Sequence, residues 1–307
     1  MNKPRPLKHW SNYWQGGHLT SLPGDFRLIY DGEIEAFWAE IAQDMKDGAK
    51  VLDVCTGNGP VALLIARHAR QAQMWAADAA SIDPARTLEQ HPALAELAAQ
   101  IQFLPETPTE SVAALDEQFD LVTSQYGVEY TDWDASAQAI ASVIKPGGRL
   151  ALITHVPTSS MVAVMQAEQQ EYVRLEETNA LQSLQEFGKK GNNTARKALK
   201  RCVIRLRQDA RTSQLLGNFV HSSNALIAMD TDTLMSQQKA IRQYCKDLLA
   251  GRDRAQDLLT TNQRILEEPR WFEIFEEYGL KLSSEREIIY QNNHHCGLAL
   301  VFNKPQA

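Results

Sequence analysis

Short apolar runs alternate with helical stretches between residues 49 and 156. Residues 51–54 (VLDV) read as a buried strand, and the apolar block 61–66 opens a helix. Further strands are expected at 74–77, 101–104, 119–123 and 149–153. A helix is expected at 135–144, stopped by Lys145-Pro146-Gly147-Gly148. Strands alternating with helices predict βαβ units, hence a parallel sheet with helices on both faces. An unbroken apolar strand such as 51–54 is what a sheet covered on both sides requires. From residue 159 to about 264 the strand pattern stops. Leu199, Val203, Leu206 and Ala210 recur at helical spacing, and four or five helices are expected there. The run 188–193 (GKKGNN) reads as a loop between helices, and Thr231 or Asp232 as the N-cap of a helix ending near Gly251. A last helix over 270–278 precedes an antiparallel pair, 280–290 and 296–302, joined through 291–295.

Composition narrows the function classes. The 307 residues carry a net charge of −7, with an ordinary hydrophobic content of 44%. The charge is uneven: residues 1–156 hold 11 basic and 20 acidic side chains, and residues 157–307 hold 20 and 18. The acidic first half argues against a long polyanion as partner, so nucleic acid is not expected. Cys55, Cys202, Cys245 and Cys296 are scattered without a CxxC, which fits a reducing, cytoplasmic setting. No apolar run suggests a membrane span, and the N-terminus lacks the apolar core of a signal peptide.

The chemistry centres on the turn after the first strand. Gly57 and Gly59 permit a tight turn whose backbone a ligand can approach closely. Asp53 sits in the strand before the turn, and Asp78 ends the second strand, where a carboxylate can accept hydrogen bonds from ribose hydroxyls. No Gly-Lys-Ser/Thr and no full G-x-G-x-x-G occurs, which excludes a phosphate loop and a dinucleotide fingerprint. A positively charged, phosphate-free adenosine ligand suits these acids better.

The run from Asp53 to Gly59, Phe119-Asp120-Leu121-Val122, and the stretch from Ile144 to Leu150 (IKPGGRL) together resemble the class I S-adenosylmethionine-dependent methyltransferases. Cys55 stands where that family has its first glycine. The resemblance implies a seven-stranded Rossmann-like α/β sheet, mostly parallel with an antiparallel final strand. It implies an N-terminal lid and helix (1–48), a cofactor core (49–156), a helical insertion (157–278) that would stand over the methyl donor, and a terminal strand pair (279–307). It also implies S-adenosylmethionine as cofactor, with Asp53, Gly57 and Gly59 at its methionine end and Asp78 on the ribose. Ala79 or Ala80 would lie against adenine, with Glu106 and Thr107 beside the adenine amino group. Ser124, Gln125 and Tyr126 would face the sulfonium, with Tyr126 expected to be catalytic.

Several residues outside those motifs carry expectations of their own. Trp10, Tyr13, Trp14, His18, Phe26 and Tyr30 crowd the N-terminal segment, either packing on the sheet or forming a lid in which the Tyr13 and Tyr30 hydroxyls reach a carboxylate. His155 ends the fifth strand, at the sheet edge where ligands bind, and could act as a base. His294-His295-Cys296 reads as a hairpin turn and not as a metal site, because neighbouring strand residues point to opposite faces. Residues 189–211 hold nine Lys or Arg against Asp209, read either as a solvated face or as a surface for an anionic partner. The expected activity is methyl transfer to a small molecule, anionic ones included, with O, N or C as the acceptor atom. The competing readings are an RNA or protein methyltransferase and a cofactor-binding protein without turnover. The oligomeric state is open, a homodimer included.

Overall fold

The computed structural model describes residues 7–21, 28–291 and 293–306, so Phe26 lies outside the described residues. Helices α1 (Lys8–Gln15) and α2 (Gly32–Gln43) precede the sheet. There follow β1 (Lys50–Val54), α3 (Pro60–His68), β2 (Gln73–Ala77), α4 (Pro84–Leu88), α5 (Pro92–Ala98) and β3 (Ile101–Leu104). Then come β4 (Phe119–Gln125), α6 (Trp133–Val143) and β5 (Ile144–Thr154). Helices α7 (Ser160–Glu177), α8 (Ala180–Lys190), α9 (Asn193–Leu206), α10 (Gln214–Ala228), α11 (Thr231–Ser236) and α12 (Gln238–Glu267) come next. A 3-10 turn and α13 (Ile274–Glu277) lead into β6 (Lys281–Tyr290) and β7 (His294–Asn303).

The strands form one seven-stranded sheet in the order β3-β2-β1-β4-β5-β7-β6. Strands β1 to β5 pair in parallel, while β7 is antiparallel to both β5 and β6. This is the Rossmann-like methyltransferase arrangement expected from the sequence. The alternation along β1 sets the two layers. Val51 packs with Ile34, Trp38 and Leu63 on one face. Leu52 and Val54 pack with Phe119, Ile140 and Phe275 on the other. Each such fully buried side chain stabilises the fold by about 1.5–3 kcal/mol.

Three local readings change. The Lys145–Gly148 run does not separate α6 from β5. It lies within β5, where the register against β4 shifts between Phe119 and Leu121. His294 and His295 belong to β7 and pair with Tyr290 and Ile289. The last helical stretch is shorter than 270–278, being a 3-10 turn at Trp271–Glu273 and then α13.

By contacts the chain divides into two compact units. The first is Met1–Val162 with Thr260–Ala307, and the second is Ala163–Leu259. Residues after Thr260 belong with the sheet because Ile265, Trp271 and Phe272 are buried in the same layer as Phe119 and Phe302. The second unit has its own apolar core, which includes Leu184, Phe187, Leu199, Leu206, Phe219 and Ile241. Within it, Gly188 lies inside α8, not in a loop. Asp230, one residue before the expected cap, accepts the Thr233 N–H and starts α11. Helix α12 runs straight through Gly251.

Candidate active site

The turn after β1 enters the left-handed region at Cys55 (φ 55°), Gly57 (φ 57°) and Gly59 (φ 87°). Cys55 therefore holds a backbone shape that favours glycine, a conformation costing a non-glycine residue on the order of 1 kcal/mol or more. The missing side chains are filled by others. A Cβ on Gly57 would lie 2.5 Å from Cζ2 of Trp14, and one on Gly59 would lie 2.7 Å from Cε1 of Phe103.

Buried acids surround this turn. Asp53 accepts hydrogen bonds from the Thr56 hydroxyl at 2.5 Å and the Thr123 hydroxyl at 2.7 Å. Burial pushes its carboxyl up to about 7, against the pull of those hydroxyls, and the nearby Asp78 charge adds to the rise. Asp78 accepts the N–H of Gly57 and of Ala80, each at 2.7 Å, and ties the end of β2 to the turn. Burial raises it to about 6, while those two N–H groups hold it down. Each Asp78 oxygen keeps lone-pair capacity beyond its one N–H.

Two residues that sequence reasoning passed over complete the setting. Asn58, fully buried, donates through Nδ2 to the carbonyls of Trp14 (2.9 Å) and His18 (2.7 Å) and to the Thr87 hydroxyl (2.9 Å). It thereby fastens the N-terminal segment onto the glycine turn. Glu129 is 1% exposed, and its Oε1 accepts the His155 backbone N–H at 2.8 Å. Burial lifts its carboxyl to about 7, with the N–H groups of His155, Glu129 and Gly127 opposing. Burial pushes the Cys55 thiol well up, and the charges of Asp78, Glu110 and Glu129 add to the rise. The only sequence cue to Asn58 was its place between two glycines, and to Glu129 its place just past β4.

The remaining predicted residues fall into distinct surroundings. Ser124 and Gln125 end β4 and are buried. The Ser124 Oγ has no hydrogen-bond partner among the described residues, while Gln125 bonds the Tyr30 hydroxyl and its Oε1 accepts the Trp38 indole N–H at 2.7 Å. Tyr126 (φ 52°) donates its hydroxyl to the Cys296 carbonyl at 3.1 Å and stacks on His155 at 4.6 Å. The His155 ring is buried, with no partner for Nδ1 among the described residues, and burial lowers it to about 3, which leaves a neutral, weakly basic imidazole. Tyr13 donates to the Thr20 carbonyl at 2.8 Å, and Tyr30 meets the Ser21 hydroxyl at 3.0 Å. Both hydroxyls thus engage the N-terminal segment itself. Glu106 is exposed on a left-handed backbone, and its N–H donates to the Ala80 carbonyl at 3.2 Å. The Thr107 N–H donates to the Asp78 carbonyl at 2.8 Å, and Ala79 follows Asp78 directly at the end of β2. Among the described residues, no group of three or more His, Cys, Asp or Glu could hold a metal ion.

A family model described as a methyltransferase domain matches residues 26–203. The chain belongs to this methyltransferase-domain family. Membership bears out the resemblance drawn from the sequence: the fold, the enzyme class and S-adenosylmethionine as cofactor. The site's own chemistry fits that group, since glycine backbone, buried carboxyls and an unpartnered Ser124 hydroxyl meet beside Cys55. Methyltransferase folds also appear among similar solved structures. YcgJ from Bacillus subtilis is 23% identical (TM-score 0.32), covering 40% of this chain and 50% of its own. Geranyl diphosphate C-methyltransferase from Streptomyces coelicolor A3(2) is 11% identical (TM-score 0.33), covering 39% and 42%. The N-methyltransferase NodS from Bradyrhizobium japonicum WM9 is 9% identical (TM-score 0.42), covering 89% and 96%. The chain spans about half or less of the length of the first two. No curated protein matches the chain. Among the described residues no helix is long and apolar enough to cross a membrane.

Proposed function

We propose that the protein transfers the methyl group of S-adenosylmethionine to a small-molecule acceptor in the cytoplasm. The observation that carries this is the clustering of the Asp53, Asp78 and Glu129 carboxyls around a left-handed glycine turn. A negative, enclosed environment of this kind favours a sulfonium and ammonium cation. When bound, the cofactor supplies an already activated methyl group, so the chain's work is orientation, worth roughly 7–11 kcal/mol when well placed. Gly57 and Gly59 give the left-handed turn against which the Trp14 and Phe103 rings close, and Asp78 uses its spare lone pairs for the ribose hydroxyls. Ala79, Glu106 and Thr107 border the adenine, and Ser124 offers its unpaired hydroxyl beside Gln125, which Trp38 and Tyr30 hold in place. Asp53 acts through Thr56 and Thr123, fixing the turn. The N-terminal segment, held by Asn58 and by the Tyr13 and Tyr30 hydroxyls, closes the site from water. Tyr126 stacks on the His155 ring, and His155 is the candidate base at the end of β5. The free cysteines Cys55, Cys202, Cys245 and Cys296 suit a reducing compartment.

Calorimetric titration with S-adenosylmethionine and its demethylated product tests the reading, followed by turnover against a panel of small hydroxyl, amine and carbon-acid acceptors. Micromolar binding with product formation is the expected result. Binding of neither ligand to folded protein would overturn it.

A further inference from the structure

Charge in the second unit is sorted by helix. Residues 180–228, which contain α8, α9 and α10, hold nine Lys or Arg but two acids, Glu186 and Asp209, in a chain whose net charge is −7. Neither acid is left for α9. Glu186 pairs with Lys190 on its own helix, and Asp209 accepts from Arg174 of α7. Helix α10 carries no Asp, Glu, Lys or Arg. Arg196 is engaged as well: it donates to the Ile227 and Met229 carbonyls at the end of α10 and lies over the Phe187 ring. Lys197, Lys200, Arg201 and Arg205 differ from it, being exposed and forming no ion pair among the described residues.

These four cations frame one apolar side chain. Leu199, Cys202, Val203 and Leu206 are buried, which turns the opposite face of α9 outward. Ile204 stands on that outward face and is 55% exposed. Lys200 and Arg201 lie one turn before it and Lys197 two turns before, with Arg205 at the border of the same face. Folding gains nothing from this pattern. Like charges three and four residues apart repel, and no acid occupies the first turn, where the helix dipole favours one. A helix face that meets only water commonly mixes its signs, as α12 does with Lys246 beside Asp247 and Arg252 beside Asp253.

We propose that the outward face of α9 docks an acidic α-helix of a partner protein, whose carboxylates meet the four cations and whose apolar side chain covers Ile204. Charged groups around an apolar centre are the layout of a protein–protein contact. With 14 residues α9 is about 21 Å long, which matches a partner helix of about four turns. RNA matches less well, because α9 has no aromatic side chain to stack a base and a phosphate backbone would leave Ile204 uncovered. A bilayer matches less well, because Leu199, Val203 and Leu206 are buried and cannot insert. A second copy of the chain offers no ready counterpart on α2, which has three acids and no base. There Glu33 accepts the Gln291 N–H, Glu35 pairs with Arg67, and Glu40 pairs with Arg286. The docking face needs no cofactor and stands apart from methyl transfer.

The test uses the full chain and a labelled helical peptide of about four turns, with glutamates along one face around a single leucine. Control peptides carry glutamine for the glutamates or alanine for the leucine. Fluorescence polarisation should show the glutamate peptide binding at least tenfold more tightly than the glutamine peptide, and weakening severalfold as salt rises from about 50 to about 200 mM. Lys200→Glu with Arg201→Glu should cut that binding at least tenfold while the melt stays level or rises, since the substitution relieves repulsion. The same variant should bind a peptide with lysine for glutamate more tightly than the original chain does, a reversal that misfolding cannot produce. Ile204→Ala should weaken the leucine peptide at least threefold and leave the alanine peptide unchanged. Equal binding of the glutamate and glutamine peptides, or unchanged affinity in the double variant, would overturn the docking face. Bulk tRNA, or vesicles of phosphatidylserine and phosphatidylcholine, binding more tightly than the peptide and lost in the double variant would overturn the protein partner in favour of RNA or lipid. Salt-sensitive self-association in sedimentation, lost in that variant, would replace the partner with a second copy.

Discussion

Asp53, Asp78 and Glu129 titrate near neutrality because burial disfavours their charged forms, and this gives cofactor binding a signed pH dependence. In the folded protein these carboxyls hold protons up to pH about 6–7 that the unfolded chain has released. The native state thus binds more protons than the unfolded state between pH about 4 and 7, and stability without cofactor falls as pH rises through that window. A bound cation favours the ionised forms and lowers all three values. S-adenosylmethionine should therefore bind more tightly as pH rises from 6 to 8, with release of protons. Calorimetry at pH 6.5 in two buffers of different ionisation enthalpy measures the release, and an affinity that is flat across the range would contradict the assignment. At the same scale, Asp78→Ala removes the acceptor for two buried N–H groups as well as the proposed ribose partner. The cost should be about 2–4 kcal/mol of stability, together with at least tenfold weaker cofactor binding, read by melting and titration. Gly57, Gly59 and Asp78 were legible in the sequence because their chemistry shows in residue type and spacing. Asn58 and Glu129 were not, because their roles depend on partners that only folding brings close: the Trp14 and His18 carbonyls for one, the His155 N–H for the other.

Among the elements, α1 depends on a side chain outside it. Asn58→Ala strips the Trp14 and His18 carbonyls of their donor, so protection from hydrogen exchange should fall across residues 10–18 while β1 and β4 stay protected. Unchanged exchange over 10–18 would show that α1 is held by ring packing alone. Strands β1 to β5 could be read from the chain because both-face burial leaves unbroken apolar runs. The second unit was read less well, and its glycines explain why. Gly188 looked like a loop signal, but a Cβ there would lie 2.6 Å from Cγ2 of Ile241. Gly251 looked like a helix end, but it is a mid-helix site on which the Tyr172 hydroxyl presses. Both are glycines of close packing, which a sequence cannot tell from glycines of turns. Gly251→Ala should consequently destabilise the second unit by about 1–3 kcal/mol through overpacking, despite the better helix propensity of alanine, and thermal melting decides it.

For the molecule as a whole, charge is the property that separates partner classes. On α9, Lys197, Lys200, Arg201 and Arg205 are exposed and form no ion pair among the described residues. Arg174 and Arg252, in the same unit, are each bonded to two acids. Bulk tRNA should nonetheless bind no tighter than the micromolar range at physiological salt, since the chain carries a net −7. Filter binding at two salt concentrations checks this. Sub-micromolar, salt-sensitive binding lost in a Lys197→Glu, Lys200→Glu, Arg201→Glu variant would favour an RNA acceptor instead.

Cys55 has one further consequence. A thiolate at the mouth of a sulfonium site would be the nearest and softest nucleophile available, and it would capture the methyl group before any substrate arrived. The protein tolerates sulfur there because burial and the charges of Asp78, Glu110 and Glu129 keep the thiol protonated. Its Sγ also lies 3.2 Å from the Thr109 hydroxyl, whose hydrogen bond pulls the thiol the other way without outweighing burial. On the proposed reading, the acids that would draw a cation into the turn also guard the protein against alkylating itself.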